Sequence, residues 1–172
     1  MRRAVFAWVI LTALFGCSGS ASKVPASAPS ALLSAGAPEL HRPTLNPSPG
    51  ASAAPLALRD FRGRLVIVDF FAEYCKPCVR TLPELEQLRQ SRSDIGIIGI
   101  AEDPDIETSL HLLQQLGLAF PVVFDQDHVL AGRYRIDGLP ATFVLDRAGV
   151  VRWASDGACQ RADLEAVLDS LK

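Results

Sequence analysis

The run Leu65-Val66-Ile67-Val68-Asp69-Phe70-Phe71-Ala72 constrains this chain more than any other stretch. It is short, interrupted only by Asp69, and rich in β-branched and aromatic residues, which reads as a strand buried on both faces. Cys75-Lys76-Pro77-Cys78 lies just beyond it, and an amphipathic stretch, Val79 to Leu88, follows. A C-x-x-C held between a buried strand and the start of a helix is the arrangement of a thiol–disulfide redox site. The helix N-terminus supplies unpaired N–H groups and a partial positive charge, both of which favour a thiolate at the first cysteine. The thiolate is the attacking species.

Two other uses of the pair carry less weight. Structural zinc needs four ligands. The other cysteines, Cys17 and Cys159, are isolated and His41, His111 and His128 are scattered, so neither a metal nor any other cofactor is expected. A purely structural disulfide across three residues would close a very short loop and restrict the unfolded chain little.

The segment Val66 to Cys78 resembles the active-site segment of the thioredoxin superfamily, which shows an aromatic-Ala-x-Trp run before C-x-P-C. Here Phe71 and Tyr74 fill the two aromatic positions, Tyr74 being a departure. Pro83 matches the family's helix-kinking proline, which removes one intrahelical hydrogen bond. Downstream, Asp137-Gly138-Leu139-Pro140-Ala141-Thr142-Phe143-Val144-Leu145-Asp146 resembles the segment carrying the family's cis-proline. Alone, Gly-x-Pro reads as an ordinary turn. Paired with the C-x-x-C, the resemblance implies a cis Pro140 beside the cysteines, with the backbone of Leu139 offered to a partner chain as a short pairing edge.

The nearer resemblance is to the TlpA/ResA-like branch, membrane-tethered thiol–disulfide oxidoreductases of the bacterial envelope. Ala57 to Arg64, Leu118 to Tyr134 and Thr142 to Gly149 are similar to its lead-in, its insertion and its last hairpin, so that residues 36–172 are covered. The resemblance implies a thioredoxin-like α/β fold, a central mixed β-sheet flanked by helices. Cys75 would attack. Cys78, one turn into the helix and buried, would resolve the mixed disulfide. Pro77 would stiffen the turn, and Leu139, Pro140, Tyr74 and Pro77 would meet the client. Asp69 matches the buried acid of thioredoxin, where a raised pKa lets a carboxyl relay a proton for the second cysteine. Thr81 stands where ResA-like members carry an active-site Glu, a departure that weakens their cytochrome c maturation role for this chain.

Further expectations follow residue by residue. Cys75 should be exposed, with a pKa below the free value of about 8.5. Lys76 adds positive charge nearby, and Glu73 works against it. Phe71 and Tyr74 should shield the site, and Phe143 and Trp153 should be core. Glu84 and Glu86 read as a solvated face, His128 as surface, and Cys159 as a small buried hydrophobe.

The first residues, Met1-Arg2-Arg3 and the apolar run Ala4 to Phe15, have the form of a secretory signal. The run is too short for a comfortable membrane span. Leu14-Phe15-Gly16-Cys17 resembles a bacterial lipobox, which implies lipidation of Cys17, with ordinary cleavage a few residues on as the alternative. Residues 1–17 are thus expected as a signal peptide. Residues 18–55, dominated by Ser, Ala, Pro and Gly, are expected as an extended tether. Within them Gly36 to Leu40 and Thr44-Leu45 resemble the family's N-terminal edge strand, so that 36–55 can fold back as edge strand and loop. Residues 56–172 suffice for one domain. Buried strands are expected at 65–72 and 95–101, further strands at 121–124, 141–146 and 149–154, and helices at 76–91, 105–116 and 160–171. A formal net charge of −2 suggests no nucleic-acid partner.

The expected function is therefore reduction of client disulfides at the periplasmic side of a membrane. A membrane thiol reductase would supply electrons, because the periplasm is kept oxidising. An oxidase or isomerase on the same fold is the alternative. A copper(I) chaperone using the two thiols is a reading of another class.

Overall fold

The computed structural model describes residues 24–46 and 55–172; the leader, Cys17 and most of the 46–54 loop lie outside them. In chain order the regular elements are β1 (His41–Arg42), β2 (Leu56–Ala57), β3 (Leu65–Phe71), α1 (Lys76–Ser91), β4 (Ile95–Ala101), α2 (Ile106–Leu116), β5 (Val122–Phe124), α3 (Val129–Tyr134), β6 (Ala141–Leu145), β7 (Val151–Ser155) and α4 (Arg161–Ser170). Five strands form one mixed sheet in the order β5-β4-β3-β6-β7. β3 runs parallel to β4 and antiparallel to β6. This is a thioredoxin-like α/β fold.

All seven residues of β3 are buried because the strand is central and both sheet faces are covered. Successive side chains alternate between the faces. Leu65, Ile67 and Phe71 pack with Leu82, Leu85 and Leu88 of α1 and Leu164 and Leu168 of α4. Val66, Val68 and Phe70 face the other way, into a cluster with Leu40, Leu130 and Tyr134. There the rings of Phe70, Tyr134 and Phe143 meet edge to face at 5.1–6.1 Å. Asp69 shares the parity of Ile67 and Phe71, which places it on the α1/α4 side.

Each helix has a local reason for its ends. Cys75 caps α1, its Sγ accepting the Cys78 N–H. Asp105 caps α2 by accepting the Thr108 N–H at 2.8 Å, and Gly117, at φ 62°, ends it in the left-handed region. α3 was not expected from the sequence. It is a single short helix entered through two left-handed residues, Asp127 and His128 (φ 63° and 54°), a geometry that periodicity does not announce. Phe143 and Trp153 are core, as expected.

Two expectations need correction here. Residues 24–35, assigned by composition to the tether, lie against the domain, as do residues 36–46, for which a folded-back edge strand was the stated alternative. Ala28, Ser34, Ala35 and Ala37 exchange backbone hydrogen bonds with Gly149, Val151 and Ala154 along the β7 edge. Thr44 bridges Val123 on the opposite, β5 edge. Asn46 fastens that end with three bonds of 2.9 Å to the backbone of Leu118, Phe120 and Val122. Backbone pairing needs no apolar side chains, and Leu32, Ala37 and Leu40 supply the apolar burial. Glu86, expected on a solvated face, is buried and accepts the N–H groups of Ala119 and Phe120. Burial opposes its charge, but bonds from Arg89, Ala119 and Gln90 hold its carboxyl below the usual range.

Gly99 shows how closely the strand layer is packed. A Cβ there would lie 2.9 Å from both Phe71 Cε1 and Val122 Cγ2, side chains that are themselves fully buried. Gly99→Ala is expected to lower unfolding free energy in urea titration by about 1–3 kcal/mol. Gly132→Ala, in a helix with open space around it, should be neutral or stabilising by up to about 1 kcal/mol.

Candidate active site

β3 delivers the chain to the helix through Ala72-Glu73-Tyr74, and this crossing is held from two sides. The Glu102 N–H donates to Phe71 O at 2.8 Å. Asp103 accepts the Glu73 N–H at 2.7 Å with Oδ1 and the Ser109 hydroxyl at 2.7 Å with Oδ2. The turn then places Cys75 at the cap of α1 and Cys78 one turn in, joined as a disulfide. Pro77 occupies the first turn of the helix, where its missing N–H costs nothing. The Thr81 hydroxyl donates to Cys78 O at 3.0 Å.

The two sulfurs are unequal. Cys78 is wholly buried, as expected. Cys75 is 7 % exposed rather than open as expected, but it is the member of the pair that reaches the surface. Tyr74 stands beside it at 64 % exposure. Phe71, expected to shield the site mouth, instead lies beneath the pair in the core, since strand alternation points it inward.

The Leu139–Pro140 bond is cis. Ala141 pairs with Phe70, so Pro140 lies at the end of β3 from which the chain runs on to Cys75, and Leu139 packs against the cluster that contains both cysteines. Among the described residues the Leu139 backbone forms no hydrogen bond.

Asp69, 2 % exposed, lines a small cavity with Thr81, the residue bonded to Cys78 O. The Thr142 hydroxyl, on the neighbouring β6, donates to Oδ1 at 2.7 Å, and Oδ2 is without a partner among the described residues. Burial pushes the Asp69 carboxyl up to about 7, against the opposing pull of the Thr142 bond. Such a group holds a proton near neutral pH and can give or take it.

Sequence reasoning missed three participants. Thr142 is one of several alternating residues in an apolar strand, and only the Asp69↔Thr142 register reveals it. Asp103, in Glu102-Asp103-Pro104, carries no signal that it reaches across to Glu73. The third is a buried acid pair beside that contact. Glu102 is pushed up to about 7 by burial and by Asp125, while its bond to His128 Nδ1 pulls the other way. His128 is exposed as expected, yet this bond engages its ring.

A disulfide at a helix N-terminus beside a cis-proline loop on this fold defines a thioredoxin-like thiol–disulfide oxidoreductase. The family model of AhpC/TSA matches residues 36–154, and the chain belongs to that family. Thiol-disulfide oxidoreductase ResA of Geobacillus kaustophilus is 30 % identical over 119 residues, 67 % of either chain. Thioredoxin-like protein YneN of Bacillus subtilis is 27 % identical over 66 % of this chain and 68 % of its own. Among solved structures, a thiol:disulfide interchange protein of the thioredoxin family from Chlorobium tepidum superposes with a TM-score of 0.69 at 23 % identity, covering 85 % of this chain and 99 % of that one. A secreted Mycobacterium tuberculosis disulfide oxidoreductase superposes with a TM-score of 0.66 at 21 % identity, covering 77 % and 96 %.

The raised Asp69 pKa makes a stability prediction. The folded chain holds this proton to about pH 7 and the unfolded chain only to about 3.8, so the folded state binds more protons between these values. Stability therefore falls as pH rises through that window. Asp69→Asn removes the buried charge and should be more stable than the parent at pH 8, by at most about 4 kcal/mol, with the difference vanishing near pH 3. Urea titrations across pH 3–8 measure it; equal stabilities at pH 8 would show that Asp69 is not buried as a charge.

Proposed function

We propose that this chain reduces disulfides of client proteins on the outer side of a bacterial membrane, through the dithiol form of Cys75 and Cys78. The observation that carries the proposal is the inequality of the two sulfurs. The pair sits in the first turn of α1, with Cys75 reaching the surface and Cys78 wholly enclosed.

The Cys75 thiolate attacks one sulfur of a client disulfide. A Cys75–client disulfide forms, and the second client sulfur leaves as a thiolate and takes a proton from water. The client strand lies along Leu139 and Pro140, beside Tyr74 and Pro77. Cys78 then passes its thiol proton to the Asp69 carboxylate and attacks Cys75 Sγ. The Cys75–Cys78 bond forms, the mixed disulfide breaks, and the remaining client sulfur leaves as a thiolate. The client has gained two electrons and the pair has lost two, which a membrane thiol reductase restores. A buried acid and Pro77 in the dipeptide support the reducing direction, since oxidants of this fold often carry His there. We further propose that residues 1–17 are a signal peptide and that a lipid on Cys17 holds the chain at the membrane.

Cys78→Ala should accumulate mixed disulfides with clients, seen as high-mass bands that collapse on reduction, and Cys75→Ala should accumulate none. Trapping through neither cysteine would exclude the exchange mechanism. The reduction potential of the pair should lie toward the thioredoxin value of about −270 mV; a value near −120 mV would make the chain a disulfide donor instead. Cys17→Ser should move the protein from the membrane to the soluble fraction, and persistence at the membrane would exclude the lipid anchor.

A further inference from the structure

Between β3, α1 and α4 lies a cavity of about 10 Å³. It has room for about one water molecule. Asp69, Thr81, Glu84, Cys159 and Arg161 line it with two leucines. Cys159 is the free cysteine among the described residues, and the exchange reaction does not use it. Its Sγ–H donates to Thr142 Oγ1 at 3.6 Å, and the Thr142 hydroxyl donates to Asp69 Oδ1 at 2.7 Å.

The order of donors in this chain is set by chemistry. A hydroxyl has one proton and two lone pairs. A thiol donating into a lone pair of Thr142 directs the threonine proton onto Asp69 Oδ1 and strengthens that bond. Cys159 keeps its proton for this purpose, because burial pushes its thiol up to about 11. The same shift makes it a poor nucleophile beside a dithiol, since exchange proceeds through thiolates. With Oδ1 occupied by an incoming donor, the proton that Asp69 itself holds must sit on Oδ2. That oxygen belongs to a side chain 98 % enclosed, has no partner among the described residues, and lies on a residue lining the cavity.

We propose that Cys159 is a positioning residue for thiol–disulfide exchange. Acting through Thr142, it fixes Oδ1 of Asp69 as the hydrogen-bonded oxygen and Oδ2 as the oxygen that takes and releases the proton. The inference rests on the relay role of Asp69 proposed above. The charged groups that share the cavity are Glu84 of α1 and Arg161 of α4. The Arg161 backbone N–H donates to Glu84 Oε2 at 3.1 Å while its guanidinium pairs with Glu165 at 2.7 Å, and the variants below leave all three in place. No electron passes through Cys159, and its thiol is the same before and after turnover.

The test compares the full chain with Cys159→Val, which lacks a donor at similar volume, Cys159→Ser, which keeps one, and Thr142→Val, which removes the bond to Asp69 directly. The Asp69 carboxyl is titrated by carbon-13 NMR, and the pH profile of mixed-disulfide resolution is recorded alongside. Thr142→Val should raise the Asp69 midpoint by about one pH unit, the size expected for a hydrogen bond to a charged group. Cys159→Val should raise it by a few tenths of a unit, the smaller share due to cooperativity along the chain. Cys159→Ser should titrate as the parent. A Cys159→Val midpoint equal to the parent overturns the proposal, as does a Cys159→Ser shift as large as that of the valine. Asp69→Asn separates the two levels of the argument. If it leaves the pH profile of resolution unchanged, the relay fails; if it removes the pH step while Cys159→Val does not move it, only the positioning role fails.

Discussion

The whole arrangement depends on a carboxyl group in a strand that has no exposed face. β3 can be buried along its entire length only at the centre of a sheet covered on both sides, and that burial denies Asp69 the water that would stabilise its charge. The protein answers with one hydroxyl, from Thr142, rather than with an opposite charge. One neutral donor offsets only part of the cost of burial, so the carboxyl stays poised near neutrality. A lysine or arginine at the same place would have fixed it as a carboxylate. A wholly apolar neighbour would have fixed it as an acid. The strand that gives the fold its rigidity is therefore also the one that holds a carboxyl poised near neutrality.

The dithiol inherits its asymmetry from the same strand. Because β3 ends at Phe71, whose carbonyl is taken by the Glu102 N–H, and the Glu73 N–H is bound to Asp103, the crossing to α1 has little freedom. It brings Cys75 to the rim and Cys78 to the interior. A site built on the end of a rigid strand and the start of a helix is held more tightly than one built on loops alone. The neighbouring acid pair, Glu102 and Asp125, lies next to the clamp on Glu73, so the electrostatics of the crossing extend beyond the cysteines.

Much of this was legible in the chain. The sheet strands and three of the four helices follow from periodicity and from the turn residues between them, because burial on two faces or one leaves a period in the sequence. The cysteines and the buried acid were found because each has a local signature, spacing and a charge inside an apolar run, whereas the cis-proline, an ordinary turn by itself, was found through the family resemblance of its segment. What was missed has none. Thr142 acts through strand register, Asp103 and Glu86 through contacts with backbone far along the chain, and α3 begins at two left-handed residues that are not glycine. The segment 24–35 was misread for a related reason. Its composition is poor in apolar residues, yet it is held largely by main-chain hydrogen bonds, to which composition is blind.

The N-terminal stretch also bears on the order in which the molecule can be completed. The residues that cover the two sheet edges come first in the chain, and the strands they cover come late: the Ser27–Ala154 contact spans 127 positions and the Asn46–Val122 contact 76. During synthesis, and during any passage through a membrane, the β5 and β7 edges must form before they can be closed, and unpaired edges are templates for pairing with other chains. The most aggregation-prone moment in the life of this protein is thus the interval between the emergence of β7 and the docking of a segment made long before it.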